Sequence, residues 1–326
     1  MKLVYLFNGR LPTEKAHGLQ IMKMCEAFAR ISDVQLLLPH RRNTIHENPF
    51  DYYRVERNFS IIRVTAIDLM GYLPERIANF LQSVTSVFMF WLHLPRADIY
   101  YARDYASMVL LSVMGKPFVA EFHDYRSLKP KKIIQFILRR CRAVVFNSEG
   151  TKSLFIRHYS FVIPMLVAPN AVDPQFFDIP ETKQQARKQL GLSQDKIIIG
   201  YVGRLEIAGK DKGVSILKEA FERMTQRAKA ELLLVTSVPY KQVPLYLRAI
   251  DIAVIPFPGV HHAETTSPIK LFEYMAAGKT IVVADGPDPG VLAKKLDLAV
   301  VNPQPFTGQI PTWDQRAKII LEYISN

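Results

Sequence analysis

The alternation of short apolar runs with helical patterns constrains the fold of this chain more than any other feature. The apolar runs are rich in Val, Ile, Leu and aromatic residues, which is typical of strands buried on both faces. Longer amphipathic segments separate them and predict helices. Alternating strands and helices favour a parallel sheet, and the scheme occurs once in each half of the chain. We therefore predict an α/β protein with two parallel sheets.

Six strands are predicted in the first half and five in the second. Their predicted positions are Leu3–Phe7, Val34–Leu38, Ile61–Thr65, Ile99–Ala102, Phe118–Phe122, Ala143–Phe146, Ile197–Tyr201, Leu232–Thr236, Ile252–Pro256, Ile281–Ala284 and Ala299–Val301. Helices are predicted at His17–Ile31, Pro130–Arg139 and Val214–Gln226, among others. Between the halves, Pro169, Pro174 and Pro180 lie among mixed polar residues and indicate a hinge near residue 170.

Length and composition agree with two globular domains. The chain has 326 residues, enough for two cores, and its 49% hydrophobic and 22% charged content argues against a disordered or membrane-spanning protein. The apolar run Met1–Phe7 is too short for a signal peptide and predicts a first buried strand. Cys25 and Cys141 have no metal-ligand spacing, so two buried free thiols and a cytoplasmic location are expected.

The segment Ile77–Leu94 is almost free of charge and predicts a long amphipathic helix. Its polar residues recur at helical spacing: Asn79, Gln82, Ser83 and Ser86. The apolar face then contains Phe80, Leu81, Val84, Val87, Phe88 and Trp91. We expect this apolar face to be buried in the first domain, with a membrane-dipping helix as the alternative.

The positive charge is concentrated in the first half. Of the net charge of +12, residues 1–168 carry +10, with 23 Lys and Arg against 13 Asp and Glu. Basic clusters lie at His40–Arg42, Lys129–Lys132 and Arg139–Arg142. Such a surface favours an anionic partner or an anionic membrane, or serves only solubility. No motif that reads DNA or RNA accompanies it, so nucleic acid is not expected.

The segment Ser267–Lys279 predicts a helix whose N-terminus holds a phosphate. Ser267 is expected to be the N-cap, Pro268 the first helical residue, and Gly278 the stop. The first amides of a helix lack partners within it and attract anions, here with Lys270 in the first turn. One turn further on, Glu273 is expected to accept hydrogen bonds from sugar hydroxyls. An ordinary capped helix remains the alternative.

A second segment that favours an anionic ligand follows the strand Ile197–Tyr201. Gly203 and Arg204 follow this strand, and Lys212 precedes the helix predicted at Val214–Gln226. Arg204 can bind two phosphate oxygens and Lys212 can add a point charge, which together neutralise a departing diphosphate. Solvated surface charges are the alternative interpretation.

These segments resemble the family 4 retaining glycosyltransferases. The resemblance rests on Gly-Arg-Leu at 203–205, Lys-Gly at 212–213 and Ser-Pro-x-Lys-x-Phe-Glu-Tyr-Met-Ala-x-Gly-Lys at 267–279. Four other parts of the chain are similar to segments of that family, in the same order: Arg10–Gln20, Tyr100–Asp104, Glu121–Asp124 and Ala168–Asp173. A fifth, Thr312–Ala317, resembles the beginning of its last helix.

The resemblance implies a GT-B fold, in which two Rossmann-like doubly wound domains face each other across a cleft. The implied domains are an acceptor-side domain at 1–169, a nucleotide-sugar domain at 170–309, and a helix at 310–326 that packs back toward the first domain. The implied reaction moves a sugar from a nucleotide diphosphate sugar to an acceptor hydroxyl, with retention of anomeric configuration and without a metal or other cofactor. Synthesis of a cell-surface polysaccharide or glycolipid is expected. The acceptor is then an anionic or lipid-linked glycan, and the enzyme is cytoplasmic or peripheral at the inner face of the cell membrane.

The resemblance also implies site residues in both domains. His123, at the end of a strand, is expected to hydrogen-bond the donor sugar as a neutral imidazole, and capping of a loop is its alternative role. Gly9 and Gly18 are expected to let the first loop approach the ligand. The predicted catalytic residues are His123, Arg204, Lys212 and Glu264. The predicted donor-binding residues are Gly9, Gly18, Gly203, Ser267, Pro268, Ile269, Lys270 and Glu273.

Two departures from the family pattern keep other functions open. The family has a glutamate eight residues before the position of Glu273, where this chain has Thr265, and we expect Glu264 to take its place. Leu232–Tyr240 also runs almost directly into Val243–Tyr246, without the strand and the helix that the family usually has between them. A catalytically weak sugar-nucleotide-binding or scaffold subunit is therefore an alternative, and a nucleotide-sugar epimerase is a third possibility that lacks an identified proton-abstracting carboxylate.

Overall fold

The structure is a computed structural model that describes residues 1–69, 71–123, 130–207, 210–236, 238–257 and 267–325. The chain divides into two compact units. The first is formed by Met1–Pro169 with Trp313–Asn326, and the second by Asn170–Thr312. Each unit is built on a parallel sheet with helices between its strands, which confirms the predicted α/β class.

The described part of the first unit forms a sheet of seven parallel strands. They are β1 Lys2–Leu6, β2 Asp33–His40, β3 Ser60–Thr65, β4 Ile99–Ala102, β5 Phe118–Phe122, β6 Ala143–Phe146 and β7 Met165–Val167. Their order is β3-β2-β1-β4-β5-β6-β7, which is doubly wound because the chain reverses direction across the sheet between β1 and β4. Ligands of such sheets bind outside the carboxyl ends of the strands at this switch point.

Helices cover both faces of this sheet. The helices are α1 Ala16–Ala29, α2 Pro49–Tyr53, α3 Glu75–His93, α4 Tyr105–Val113, α5 Lys131–Leu138, α6 Glu149–His158 and, at the C-terminus, α12 Trp313–Ser325. Because crossovers between parallel strands are right-handed, α3 to α6 lie on one face and α1 and α2 on the other. α12 packs against α1. The two cysteines, Cys25 and Cys141, are free and buried, as predicted.

The second unit has a smaller parallel sheet. Its described strands are β8 Ile197–Val202, β11 Ala230–Val235, β12 Ile252–Ile255 and β13 Thr280–Val283, in the order β11-β8-β12-β13. A two-stranded antiparallel ribbon, β9 Glu206–Ile207 with β10 Lys210–Asp211, follows β8. The helices are α7 Lys183–Leu190, α8 Val214–Glu222, α9 Val243–Ala249, α10 Ile269–Ala276 and α11 Pro289–Val301. The switch point of this sheet lies between β8 and β12.

One predicted strand is wrong. Residues 299–301 form the last turn of α11. The Asp288 carboxylate accepts a hydrogen bond from the Gly290 amide at 2.7 Å and so caps this helix. Leu292, Leu296 and Ala299 then recur at helical spacing and pack into the core of the second unit, which overrides the strand preference of the terminal valines. The helix predicted at Val214–Gln226 is also shorter than expected, ending at Glu222.

The long helix α3 exists, but the prediction of its buried face is wrong. Its polar residues Gln82 and Ser86 are 2% and 0% exposed, whereas Phe80 and Phe88 are 66% and 54% exposed. Periodicity places the polar and apolar residues on opposite faces, but it does not determine which face meets the sheet. Within the part of the chain that the structure describes, no helix has the length and hydrophobicity needed to cross a bilayer.

Candidate active site

In the second unit, the candidate residues converge where β8 ends. Gly203 is the first residue after β8 and has φ of +144°, a conformation that favours glycine. A Cβ atom on Gly203 would lie 1.6 Å from the Lys270 Nζ atom, so the missing side chain leaves room for this ammonium group. Lys270 Nζ also lies 5.1 Å from the centroid of the Tyr201 ring. The two predicted motifs, at Gly203 and at Lys270, are therefore brought together.

Lys212 is held at the same edge of the sheet by the ribbon of β9 and β10. Its amide donates to the Leu205 carbonyl at 3.0 Å. The next residue, Gly213, has φ of +90°, and a Cβ there would lie 2.2 Å from the Pro256 carbonyl oxygen at the end of β12. A larger residue would therefore push the start of α8 away from the switch point between β8 and β12. Gly213 thus fixes the position of Lys212.

The basic side chains are close enough to affect one another's protonation. Burial lowers the pKa of Lys212, and the charge of Arg204 acts in the same direction. Burial lowers the pKa of Lys270 to about 8, Glu273 opposes this shift, and Lys212 adds to it. Clustered positive charges repel each other when no anion is present. This arrangement is suited to bind a group with several negative charges, such as a diphosphate.

Glu273 lies one turn beyond Lys270 in α10 and is 7% exposed. Burial raises the pKa of Glu273, whereas the charge of Lys270 and a hydrogen bond with the side chain of Tyr240 oppose the shift. Tyr240 in turn stacks on Phe176, with ring centroids 4.7 Å apart. Tyr240 is not among the predicted site residues, because 33 positions along the chain separate it from Glu273. A direct bond from Glu273 to sugar hydroxyls stays a prediction.

The expected cap of α10 is wrong. Pro268 occupies the N-cap position with extended backbone, and Ile269 begins the helix, one residue later than predicted. The Ser267 side chain instead accepts a hydrogen bond from the Asn170 amide at 2.9 Å, and the Asn170 side chain donates to the Ser267 carbonyl. Ser267 therefore anchors the approach to the helix. The predicted stop is confirmed, since Gly278 follows the C-cap with φ of +61°.

In the first unit, His123 follows β5 and belongs to a buried charged cluster. Its Nε2 atom lies 2.8 Å from a Glu121 carboxylate oxygen, and the same oxygen is 2.5 Å from an Nη atom of Arg316 in α12. Burial lowers the pKa of His123 to about 4, and Arg103 adds to this shift while Glu121 opposes it. The imidazole is therefore neutral at neutral pH, in the state expected for a hydrogen-bond partner of a sugar.

Glu121, Gln20 and Arg103, which form a cluster with His123, are not among the predicted site residues. Glu121 also accepts a hydrogen bond from the Gln20 side chain at 3.0 Å, and Arg103 donates to Gln20. Asp104, the residue after Arg103, accepts a hydrogen bond from the Asn8 amide at 3.0 Å and caps α4. One signal was available: an acidic residue inside the apolar strand Phe118–Phe122 requires a buried partner.

The remaining predicted site residues are Gly9, Gly18 and Glu264. A Cβ on Gly9 would lie 2.1 Å from the Phe7 ring, and one on Gly18 would lie 2.1 Å from the Tyr53 hydroxyl. Packing within the first unit therefore explains both glycines, and their contact with a donor stays a prediction. Glu264 lies outside the described residues.

Part of the chain is similar in sequence to known glycosyltransferases. Residues 20–176 match the model of Glycosyltransferase Family 4. The teichuronic acid biosynthesis glycosyltransferase TuaH of Bacillus subtilis is 37% identical over 54 residues, which are 17% of this chain and 14% of that protein. The chain thus spans only a small part of that relative's length.

Two solved structures share the fold over nearly the whole chain. Anabaena HepE, in complex with UDP and glucose, has a TM-score of 0.73 at 15% identity, with 100% of each chain covered. Sucrose-phosphate synthase from Thermosynechococcus elongatus has a TM-score of 0.72 at 15% identity, covering 99% of this chain and 94% of that one. The chain has the GT-B fold, and its residues 20–176 resemble Glycosyltransferase Family 4.

Proposed function

We propose that this protein transfers a glycosyl group from a nucleotide diphosphate sugar to an acceptor hydroxyl, with retention of anomeric configuration. The observation that carries the proposal is the cluster of Arg204, Lys212 and Lys270 around Gly203, with buried Glu273 one turn away. A diphosphate bound there would relieve the repulsion among these cations. The same charges stabilise the diphosphate as it leaves, which is where negative charge grows in the transition state.

The residues of the first unit supply a second part of the proposed mechanism. The neutral imidazole of His123 is suited to hydrogen-bond a hydroxyl of the transferred sugar. In this proposal the arginine and lysine charges perform the neutralisation that a divalent cation performs in other enzymes, so turnover should persist in EDTA. The solved GT-B structure of Anabaena HepE with UDP and glucose supports a uridine diphosphate sugar as the first donor to test.

The proposed setting is synthesis of a cell-surface polysaccharide or glycolipid at the cytoplasmic face of the membrane. The net charge of +10 in residues 1–168 supports an anionic or lipid-linked acceptor. The matched segment of TuaH, a protein of teichuronic acid biosynthesis, supports an anionic polymer in particular. Proton NMR of the first product formed from an α-linked donor would report retention as an α-linked product.

Nucleoside diphosphates are expected to raise the melting temperature of the purified protein. We would compare UDP, GDP, ADP, dTDP and CMP, with EDTA and then with Mg²⁺, because a ligand that binds the folded state stabilises it by mass action. A rise with one diphosphate, unchanged by EDTA, is the expected result. No rise with any of them would contradict the proposed donor site. A rise with UDP but no transfer from a panel of UDP-sugars would favour a scaffold subunit, which the short connection between β11 and β12 makes the second candidate.

Donor binding should also take up protons. The pKa of Lys270 is about 8 in the free protein, and a neighbouring diphosphate should raise it. At a pH near that value, binding of UDP should take up about half a proton per site, because half of the Lys270 amines are then neutral. Titration calorimetry in buffers with different ionisation enthalpies measures this uptake.

Lys270→Arg is the matched variant for this measurement, since arginine keeps the positive charge but cannot lose its proton. The variant should bind UDP with much smaller uptake. Equal uptake by both proteins would show that Lys270 is not the titrating group.

A further inference from the structure

The outward face of α3 is an apolar surface of unusual size for a helix on the outside of a protein. Six side chains form it, and each is between 50% and 66% exposed: Ile77, Phe80, Val84, Phe88, Trp91 and Leu92. We call this set the α3 stripe. Successive members are one, three or four residues apart, so they share one side of the helix over about 22 Å. Apolar patches of this kind mark interaction sites.

The orientation of α3 is fixed by its opposite face. Ala78, Gln82, Ser86 and Phe90 are at most 2% exposed, and Phe90 is part of the core of the first unit. The Ser86 hydroxyl donates to the Gln82 carbonyl at 2.6 Å, so this buried polar group is satisfied within the helix. Rotation of α3 to bury the stripe would remove Phe90 from the core. The stripe is therefore a permanent feature of the surface.

Basic side chains lie at both ends of the helix layer that contains the stripe. α3, α4 and α5 lie side by side on one face of the sheet. No Asp or Glu occurs at residues 76–97, 105–119 or 130–148, which include these helices from Arg76 onward. Exposed basic side chains lie at both ends of this layer: Arg76, Arg96, Lys131, Lys132, Arg139 and Arg140. The layer thus combines the apolar stripe with a basic border at its two ends.

From this combination we infer that the α3 stripe docks on an anionic lipid bilayer, with α3 lying along the surface of the membrane. Apolar side chains of such a helix enter the boundary between headgroups and acyl chains, while arginine and lysine bind anionic headgroups. Trp91 has the amphipathic ring that is enriched at this depth. The packed inner face of α3 keeps the rest of the first unit outside the hydrocarbon.

Charge favours a membrane over a second copy of this chain. In a two-fold dimer the same patch meets itself, so the basic border of one copy would face that of the other. An anionic bilayer instead complements both parts of the surface. The inference is independent of the proposed glycosyl transfer, because membrane binding is measured without a donor or turnover.

The test is flotation of the 326-residue chain with vesicles of phosphatidylcholine, with and without phosphatidylglycerol. The wild type should bind the anionic vesicles at least about tenfold more tightly, and high salt should weaken this binding. Phe80→Gln with Phe88→Gln should reduce binding to the anionic vesicles about tenfold or more. The matched control is Leu298→Gln with Val301→Gln, two residues of α11 that are 66% and 67% exposed, which should bind as the wild type does.

Tryptophan fluorescence gives a second readout. The chain has two tryptophans, and Trp91 is 52% exposed whereas Trp313 is 5% exposed. Anionic vesicles should shift the emission to shorter wavelengths in the wild type, but not in Trp91→Phe. Circular dichroism checks that the variants fold. Equal flotation of the wild type and the Phe80/Phe88 double variant would overturn the inference. So would a concentration-dependent dimer, seen by sedimentation velocity, that the double variant abolishes.

Discussion

Replacement of Arg316 by methionine is expected to lower the free energy of unfolding of the first unit by about 3–5 kcal/mol. Arg316 and Glu121 are 4% and 0% exposed and form an ion pair, so the variant leaves the Glu121 carboxylate buried without its cation. Arg316 also donates from Nε to the Pro169 carbonyl at 2.9 Å, a bond that methionine cannot make. The measurement is the shift of the urea unfolding transition of this unit.

The loss of stability in Arg316→Met should depend on pH in a defined direction. Arg316 holds the pKa of Glu121 well below its ordinary value, against the effect of burial. This depressed pKa contributes stability above the ordinary glutamate pKa, and that contribution is lost as the pH falls. Without Arg316, burial should raise the pKa of Glu121. Protonation of Glu121 at low pH then removes the unpaired buried charge from the variant. The difference in the free energy of unfolding between wild type and variant should therefore become smaller as the pH falls.

The matched control for this prediction lies on the same helix. Lys318 pairs with Glu322 at 3.8 Å, and both side chains are more than half exposed. Lys318→Met should change the stability by less than about 0.5 kcal/mol. Adding Glu121→Gln to Arg316→Met should restore part of the loss, because it removes the unpaired charge. If Arg316→Met unfolds at the same urea concentration as the wild type, the buried pair does not stabilise the unit.

The local structure of both units could be predicted from the sequence because it depends on short-range patterns. The strand Ile197–Val202 is a continuous apolar run, and the glycine and basic residues that follow it predict an anion site. The structure brings Gly203 and Lys270, one from each motif, next to each other. Parallel strands bring such strand-end residues to one edge of a sheet, which makes this part of the site predictable.

Features that depend on distant parts of the chain could not be predicted in the same way. Glu121 and Arg316 are 195 residues apart, and neither position specifies the other. The helical period of α3 gives two faces, but its burial depends on the shape of the sheet beneath it. Ser267 matches the pattern of an N-cap, yet the Asn170 amide, 97 residues away, binds its side chain. At these positions, tertiary contacts override the structure that the local sequence favours.

Arg204→Ala and Lys212→Ala are each expected to lower kcat/KM roughly 30- to 1,000-fold. This corresponds to a loss of about 2–4 kcal/mol of transition-state stabilisation. Because the leaving diphosphate gains negative charge in the transition state, most of the loss should appear in kcat rather than KM. The charge of Arg204 lowers the pKa of Lys212, which indicates that the two cations are close enough to act on one anion. The measurement is initial-rate kinetics with the donor identified by thermal shift.

Lys218 provides the control because it is an exposed lysine of α8, the helix that Lys212 precedes. Lys218→Ala removes the same charge from the second unit without touching the ends of β8 and β12, and it should leave kcat/KM unchanged. Equal losses in all three variants would point to net charge rather than to a positioned site. Turnover like that of the wild type in both Arg204→Ala and Lys212→Ala would remove these two residues from the mechanism. A large loss in those two alone would assign the stabilisation of the leaving group to the cations held beside Gly203.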